Sequence, residues 1–274
     1  HRLCRTATIF LYKEKIFNDI TELDIVSIGE GEKTIVEIVE AYENGSSLER
    51  IKGISFRDAK GNIVLTEPRP YLTNLDDLAF PARDILDNNL YRLLPLSFKK
   101  EPVTSMITSR GCPYGKCSFC FEAGSKSFKY RRHSPEYVIK EIEGTIVPNG
   151  IKEIAFWDDY FLINPKWLDR FFELMEKFDI TWTCYGYPKT VNKEMLTKAS
   201  KAGCWAVLYG FESGDQSLLD VVNKGITLEQ SRNAAKWTHE AGMATRASFM
   251  LALPGETPEL AKKTVDFAIE LDCT

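Results

Sequence analysis

The chain has 274 residues, 44% hydrophobic and 27% charged, which supplies a full apolar core and excludes a disordered segment. A formal net charge of −4 leaves no basic footprint, so nothing marks nucleic acid as the main partner. No apolar run approaches the ~20 residues that a membrane span needs.

In chain order, residues 1–50 read as the tail of an α/β layer. A short apolar strand over 24–28 runs into Gly29-Glu30-Gly31-Glu32 and a helix. The expected apolar face of that helix is Ile35, Val36, Val39 and Tyr42, and Gly45 closes it. Residues 51–102 hold a hairpin (GISF, a turn at Asp58-Ala59-Lys60-Gly61, then NIVL) and, from 67 on, a proline-punctuated connector. From 103 to 274 a strand-then-helix alternation repeats five times, with strands expected at 103–109, 153–157, 180–185, 205–209 and 243–251. The helices have readable ends. Ser134-Pro135 opens the first, and Trp167, Leu168, Phe171, Phe172, Met175 and Phe178 line the second at helical spacing. Asn192 opens the third and Gly203 closes it; Thr227 with Gln230 forms a capping box for the fourth, and Thr257-Pro258 opens the fifth. Five successive βα units predict a parallel sheet with right-handed crossovers, curled into a barrel or part of one.

In such a sheet, active-site groups collect in the loops that follow the strands. Those loops carry 109–124 (SRGCPYGKCSFCFEAG), Asp158-Asp159, Tyr185-Gly186-Tyr187, Gly210-Phe211-Glu212-Ser213-Gly214 and Pro254-Gly255-Glu256-Thr257. Seven cysteines occur, and Cys112, Cys117 and Cys120 fall within nine residues. Such crowding does not resemble a secreted disulfide framework and fits a reducing cytoplasm. Soft thiolates on one loop bind zinc or an iron–sulfur cluster. A structural zinc site wants four ligands, usually as two pairs, and no second pair is present because Cys184 and Cys204 stand singly. Three thiolates leave one iron of a [4Fe-4S] cube without a protein ligand.

The run TSRGCPYGKCSFC, with Phe119 just before the last cysteine, resembles the cluster loop of the radical S-adenosylmethionine (SAM) superfamily. The resemblance implies a [4Fe-4S] cluster on Cys112, Cys117 and Cys120, with SAM chelating the open iron. It implies reductive cleavage of the SAM sulfonium to a 5′-deoxyadenosyl radical, which abstracts hydrogen from a small-molecule substrate. It also implies a reductant such as flavodoxin or ferredoxin. The usual loop has three residues between its first two cysteines; Pro113, Tyr114, Gly115 and Lys116 make four here. By the same resemblance, Asp158 and Asp159 take the place of the segment that receives the SAM amino group. Glu212 and Ser213, in GFESG followed by NKG at 223–225, match the ribose-binding segment, and Phe119 would pack near the adenine. Ala252 replaces the first glycine of a fifth-strand motif, and Arg246 either meets the SAM carboxylate or points out to solvent.

GEGEKTIVEIVEAYENG, the hairpin and NLDDLAFPARDIL resemble the segments before the barrel in the B12-binding subgroup. The implied architecture is a partial (β/α) barrel of the radical SAM type at 103–274. It follows the remnant of a Rossmann-like, cobalamin-binding-like domain at 1–50 and a hairpin and connector at 51–102. Cobalamin is then a candidate cofactor, and methyl transfer, oxidation or cyclisation the candidate outcome. No Asp-x-His-x-x-Gly ligand motif is present among His1, His133 and His239. The chain is therefore expected to be part of a longer protein, with a cobalamin domain before residue 1 and a further strand after residue 274. Two rivals are a barrel enzyme with a zinc-stiffened loop and an iron–sulfur electron-transfer protein; the latter would be expected to present four cysteines.

Overall fold

The computed structural model describes residues 3–4, 15–87, 90, 97–120 and 129–273. Residues 121–124 of the cysteine loop, 88–89 and 91–96 of the connector, and 1–2 and 5–14 of the expected remnant lie outside the described residues. Contacts divide the chain into two units, 1–73 and 74–274.

In the first unit, β1 (Leu3–Cys4) and β2 (Ile25–Ser27) are parallel, and β3 (Ile54–Arg57) and β4 (Ile63–Leu65) add antiparallel strands in the order β1-β2-β3-β4. The hairpin turn is held by the Asp58 carboxylate, which accepts from the Lys60 and Asn62 amides at 2.8 Å each, and Gly61 takes φ 83°. Two helices accompany the sheet, α1 (Ile16–Asp19) and α2 (Glu32–Asn44). Gly45, in the left-handed region, caps α2 as expected. The buried face of α2 differs from the sequence reading: Thr34, Ile38 and Ala41 are buried, while Val36 is 54% exposed and Ile35, Val39 and Tyr42 are also exposed. Both sets have helical spacing. Ile38 and Ala41 pack on Ile25, Ile51, Ile54 and Phe56, and the buried Thr34 hydroxyl is satisfied by the Glu30 carbonyl.

In the second unit, five parallel strands lie side by side in chain order: β5 (Val103–Met106), β8 (Glu153–Phe156), β9 (Thr181–Gly186), β10 (Cys204–Glu212) and β11 (Ala244–Phe249). Between β5 and β8 lies a short antiparallel pair, β6 (Ser109–Arg110) and β7 (Arg131–Arg132). The helices are α3 (Pro135–Glu141), α4 (Pro165–Met175), α5 (Lys193–Lys201), α6 (Gln216–Val221), α7 (Leu228–Glu240) and α8 (Pro258–Glu270). The parallel α/β sheet read from the sequence is present, and it is not closed. The expected caps form: Ser134, Asn192, Thr227 with Gln230, and Thr257 all accept from their helices. Helix α6, capped by Asp215, and the β6–β7 pair were not expected. β5 stops at Met106 rather than running to 109, because the Thr108 amide turns to the Asp158 carboxylate.

Strand alternation separates two faces. Phe156, Trp182, Cys184 and Val207 are buried with Phe161, Phe171 and Phe172 in the main core. On the strands' other side, Glu153 is fully buried at the start of β8. Its carboxylate accepts from the Lys99 and Lys100 amides (2.8 and 2.9 Å), Thr181 Oγ1 (2.8 Å) and Trp205 Nε1 (3.0 Å). One side chain thus ties the connector to three strands. Glu153→Ala leaves these donors unpaired and is expected to destabilise the protein by about 3 kcal/mol or more. The urea midpoint measures it, and an unchanged midpoint refutes the assignment.

Candidate functional site

The groups expected at the strand ends form two layers. Asp158, only 1% exposed, is turned inward: its carboxylate accepts from the Thr108 amide at 3.0–3.1 Å, from Thr108 Oγ1 at 2.8 Å and from Ser109 Oγ. It anchors the backbone that leads into the cysteine loop. Asp159, one residue on and exposed, forms no hydrogen bond or ion pair among the described residues. Burial of its carboxyl raises its pKa, and the neighbouring Asp158 charge raises it further. Both aspartates line a cavity of about 360 Å³ at the sheet's C-terminal edge, together with Trp157, Tyr185, Glu212 and Lys224.

Glu212, 6% exposed, ends β10 at a register shift with φ 64°, a conformation uncommon for a residue with a side chain. Its Oε1 accepts from Lys224 Nζ at 2.7 Å, forming a buried ion pair. Gly210 makes room for the pair: a Cβ there would stand 2.3 Å from Glu212 Oε1 and 3.0 Å from Lys224 Nζ. The Lys224 carbonyl accepts from Tyr187 Oη at 2.5 Å, and its ammonium lies 5.8 Å from the centre of the Phe119 ring. Lys224 is the main site residue that sequence reasoning missed. The NKG run was visible, but a contact spanning twelve residues across α6 has no periodic signature.

The cysteine loop is clamped to this same segment. Tyr114 Oη donates to the Asn223 carbonyl (2.8 Å), Asn223 Nδ2 to the Lys116 carbonyl (3.0 Å) and the Ser118 amide to the Val222 carbonyl (2.9 Å). Tyr114 packs against Tyr187 at 5.5 Å between ring centres, in a cluster with Tyr160, Leu219 and Ile226. The extra length between Cys112 and Cys117 is thus taken up by Gly115 at φ 56° and by an anchored tyrosine. Burial raises the Cys117 pKa, the Lys224 ammonium opposes it, and the charges of Cys120 and Cys112 add to the rise. The three thiols therefore sense one another beside a cation. Among the described residues no three Cys, His, Asp or Glu are grouped to hold a single metal ion. In a cubane each thiolate takes its own iron, so three soft donors from one loop fit that group without converging on one atom.

The remaining expected residues fall elsewhere or are committed. Phe119 is 41% exposed at the loop. Ser213 is buried, within 3.1 Å of Thr264 Oγ1, and accepts from the Asp215 amide. Arg246 does not join Asp159 and Glu212: it lies over the Trp205 ring at 4.8 Å and donates to the Ser97 carbonyl at 3.4 Å. Ala252 takes φ 63°, the left-handed backbone for which a glycine is better suited.

An open parallel sheet with helical crossovers, a three-cysteine loop after its first strand and carboxylates after its second and fourth define a cofactor-dependent α/β enzyme class. The chain belongs to the radical SAM superfamily, whose family profile matches residues 106–268. Membership implies a [4Fe-4S] cluster and SAM as cofactors. An uncharacterized methyltransferase of Pyrococcus horikoshii, PH0819, is 35% identical over 252 residues, covering 91% of this chain and 53% of that protein. The anaerobic magnesium-protoporphyrin IX monomethyl ester cyclase of Cereibacter sphaeroides is 29% identical over 272 residues, covering 94% of this chain and 42% of that protein. The chain thus spans about half the length of these curated relatives. Among solved structures, the cobalamin-dependent SAM radical enzyme OxsB with aqua-cobalamin bound superposes with a TM-score of 0.77 at 22% identity, over 96% of this chain and 38% of that one. That likeness shows the fold. No described helix is long and apolar enough to cross a membrane.

The clamp yields a test. At Gly225, φ 71°, a Cβ would stand 2.1 Å from Tyr114 Oη; at Gly242, φ 74°, it would meet nothing within 4 Å. Both alanine variants carry a similar left-handed backbone cost of about 1–2 kcal/mol. Only Gly225→Ala is expected to lower iron and sulfide incorporation after anaerobic reconstitution. Equal iron content in the two variants would refute the clamp.

Proposed function

We propose that Cys112, Cys117 and Cys120 each ligate one iron of a [4Fe-4S] cluster and that SAM occupies the adjoining cavity. The observation that carries this reading is the clamp. It brings the cysteine loop, Lys224 and Glu212 together beside Asp159, which has no partner among the described residues. Cluster and SAM, when bound, supply the reductive sulfonium cleavage and hydrogen abstraction described for the superfamily.

This chain's own residues bind and orient. Asp159 receives the SAM ammonium, for which a carboxylate without a protein partner is the natural acceptor. Glu212 accepts from the ribose hydroxyls with the oxygen that Lys224 leaves free, while Lys224 keeps the buried carboxylate charge-balanced. Phe119 shields the adenine side. Asp158 and Ser213 act behind these contacts, holding the loop backbone and the turn into α6.

The outcome we propose is methyl transfer or cyclisation of a small-molecule substrate, with an external reductant such as flavodoxin or ferredoxin. The methyltransferase and cyclase relatives support it. Cobalamin is part of the proposal, supported by the fold shared with OxsB and by the parallel β1–β2 pair preceding α2. On this view residues 1–50 are the tail of a cobalamin-binding-like domain and 51–102 its hairpin and connector.

Anaerobic reconstitution with iron and sulfide, followed by spectra with and without SAM, tests the core of the reading. Cys117→Ala is expected to lose the cluster and Cys273→Ala to keep it; full iron content in Cys117→Ala overturns the ligand assignment. Asp159→Asn is expected to weaken SAM binding by at least about tenfold with the cluster intact, since a hydrogen bond to a charged group contributes ~1.5–3 kcal/mol. The raised pKa of Asp159 sets a pH dependence. Only the ionised form pairs with the ammonium, so SAM affinity falls on acidification, beginning above the ordinary aspartate range. Titration calorimetry across pH checks this, and a profile unchanged in Asp159→Asn refutes the role.

A further inference from the structure

Strand register places Tyr185, Leu208 and Arg246 in one row across β9, β10 and β11, since Tyr185 pairs with Leu208 and Leu208 with Arg246. Trp157 extends the row beyond β8, its ring 5.9 Å from that of Tyr185 at an interplanar angle of 51°. The residues just before Trp157, Tyr185 and Leu208 (Phe156, Cys184 and Val207) are buried in the helix-side core, so alternation turns this row to the opposite, concave face. There Trp157 is 50% exposed, and Tyr185 and Leu208 are partly exposed. An aromatic and aliphatic strip thus starts in the cavity that holds Asp159 and Glu212, which Trp157 and Tyr185 help to line, and continues past it to Leu208.

The strip ends at Arg246, a cation with no ion pair among the described residues. It is half-buried and has only the long contact to the Ser97 carbonyl among those residues. The Trp205 ring it covers is approached at 5.2 Å by Lys99 Nζ. The carboxylate acting on Arg246 is Glu153, whose oxygens are already engaged by four donors. Lys99 is exposed to solvent, so the half-buried Arg246 is the cation that faces the apolar wall with its nearest carboxylate already taken up by other donors. A partly desolvated guanidinium without a partner is costly unless an anion completes it.

From this juxtaposition we infer that the substrate is a small aromatic or polycyclic molecule bearing a carboxylate, its body on the Trp157–Tyr185–Leu208 strip and its carboxylate on Arg246. The inference rests on the proposed radical SAM reading for the reacting end, which lies one layer higher at Gly210 and Ser248. With Lys99 exposed to solvent, Arg246 alone offers one planar fork of donors for one negative charge, which favours a carboxylate over the dianion of a phosphate monoester.

The test is equilibrium dialysis of the anaerobically reconstituted full chain against two probes that share one body, 1-pyrenebutyrate and 1-pyrenebutanol. The carboxylate is expected to bind at least about tenfold tighter, as a charged hydrogen bond allows. Arg246→Gln is expected to erase that preference while leaving the alcohol's affinity unchanged. Trp157→Ala, at an exposed position where folding is not at stake, is expected to weaken both probes. No preference in the parent, a preference surviving in Arg246→Gln, or unchanged affinities in Trp157→Ala overturns the inference. Loss of the preference under saturating SAM also overturns it, since the anion site would then belong to SAM. Probe binding does not need the cluster, so absent iron would defeat the functional reading and leave this one standing.

Discussion

The buried pair between Glu212 and Lys224 is the constraint around which the rest of the site is arranged. Two charges withdrawn from water persist only when geometry and neighbours compensate them. Here the compensation is visible in the backbone. Glu212 accepts a left-handed φ, β10 shifts register, and Gly210 gives up its side-chain volume. Tyr187 holds the Lys224 carbonyl from below, and the residues just before Lys224 hold the cysteine loop. The ion pair and the metal-ligand loop are thus one mechanical unit, though about a hundred residues separate their ends in sequence.

Asp158 and Asp159 divide two tasks between neighbouring positions. The first is enclosed by hydroxyls and a backbone amide, which satisfy its oxygens from within the protein. The second has no such donors among the described residues, and burial together with the charge of the first disfavours its ionisation. A doublet of identical residues therefore contains one scaffold group and one group that the proposed function makes a receptor, and only the three-dimensional setting tells them apart.

Much of the fold was legible because its signals are local. The caps at Ser134, Asn192, Thr227 and Thr257 depend on side chains reaching two or three residues along the chain. The loops after successive strands had to share one end of a parallel sheet. The cysteine trio was equally local. What could not be read were choices between equivalent patterns and contacts across long separations. Helix α2 offers two stripes at helical spacing, and the one with Thr34, Ile38 and Ala41 faces the sheet although the other carries more apolar residues. Arg246 could be read toward either face of its strand, and its direction depends on Trp205 and Ser97, both distant in sequence. Lys224 and Tyr114 belong to the same class. Each looks like an ordinary loop residue until α6 brings residues 222–225 against the cysteine loop.

The clamp also bears on what happens when oxygen strips the iron. Its three hydrogen bonds run from protein to protein, and Tyr114 is seated among aromatic neighbours that do not depend on metal. On the proposed ligand set, loss of iron would leave these contacts in place and the thiols held on an anchored loop. Iron would then be a replaceable part, and reloading would not have to rebuild its seat.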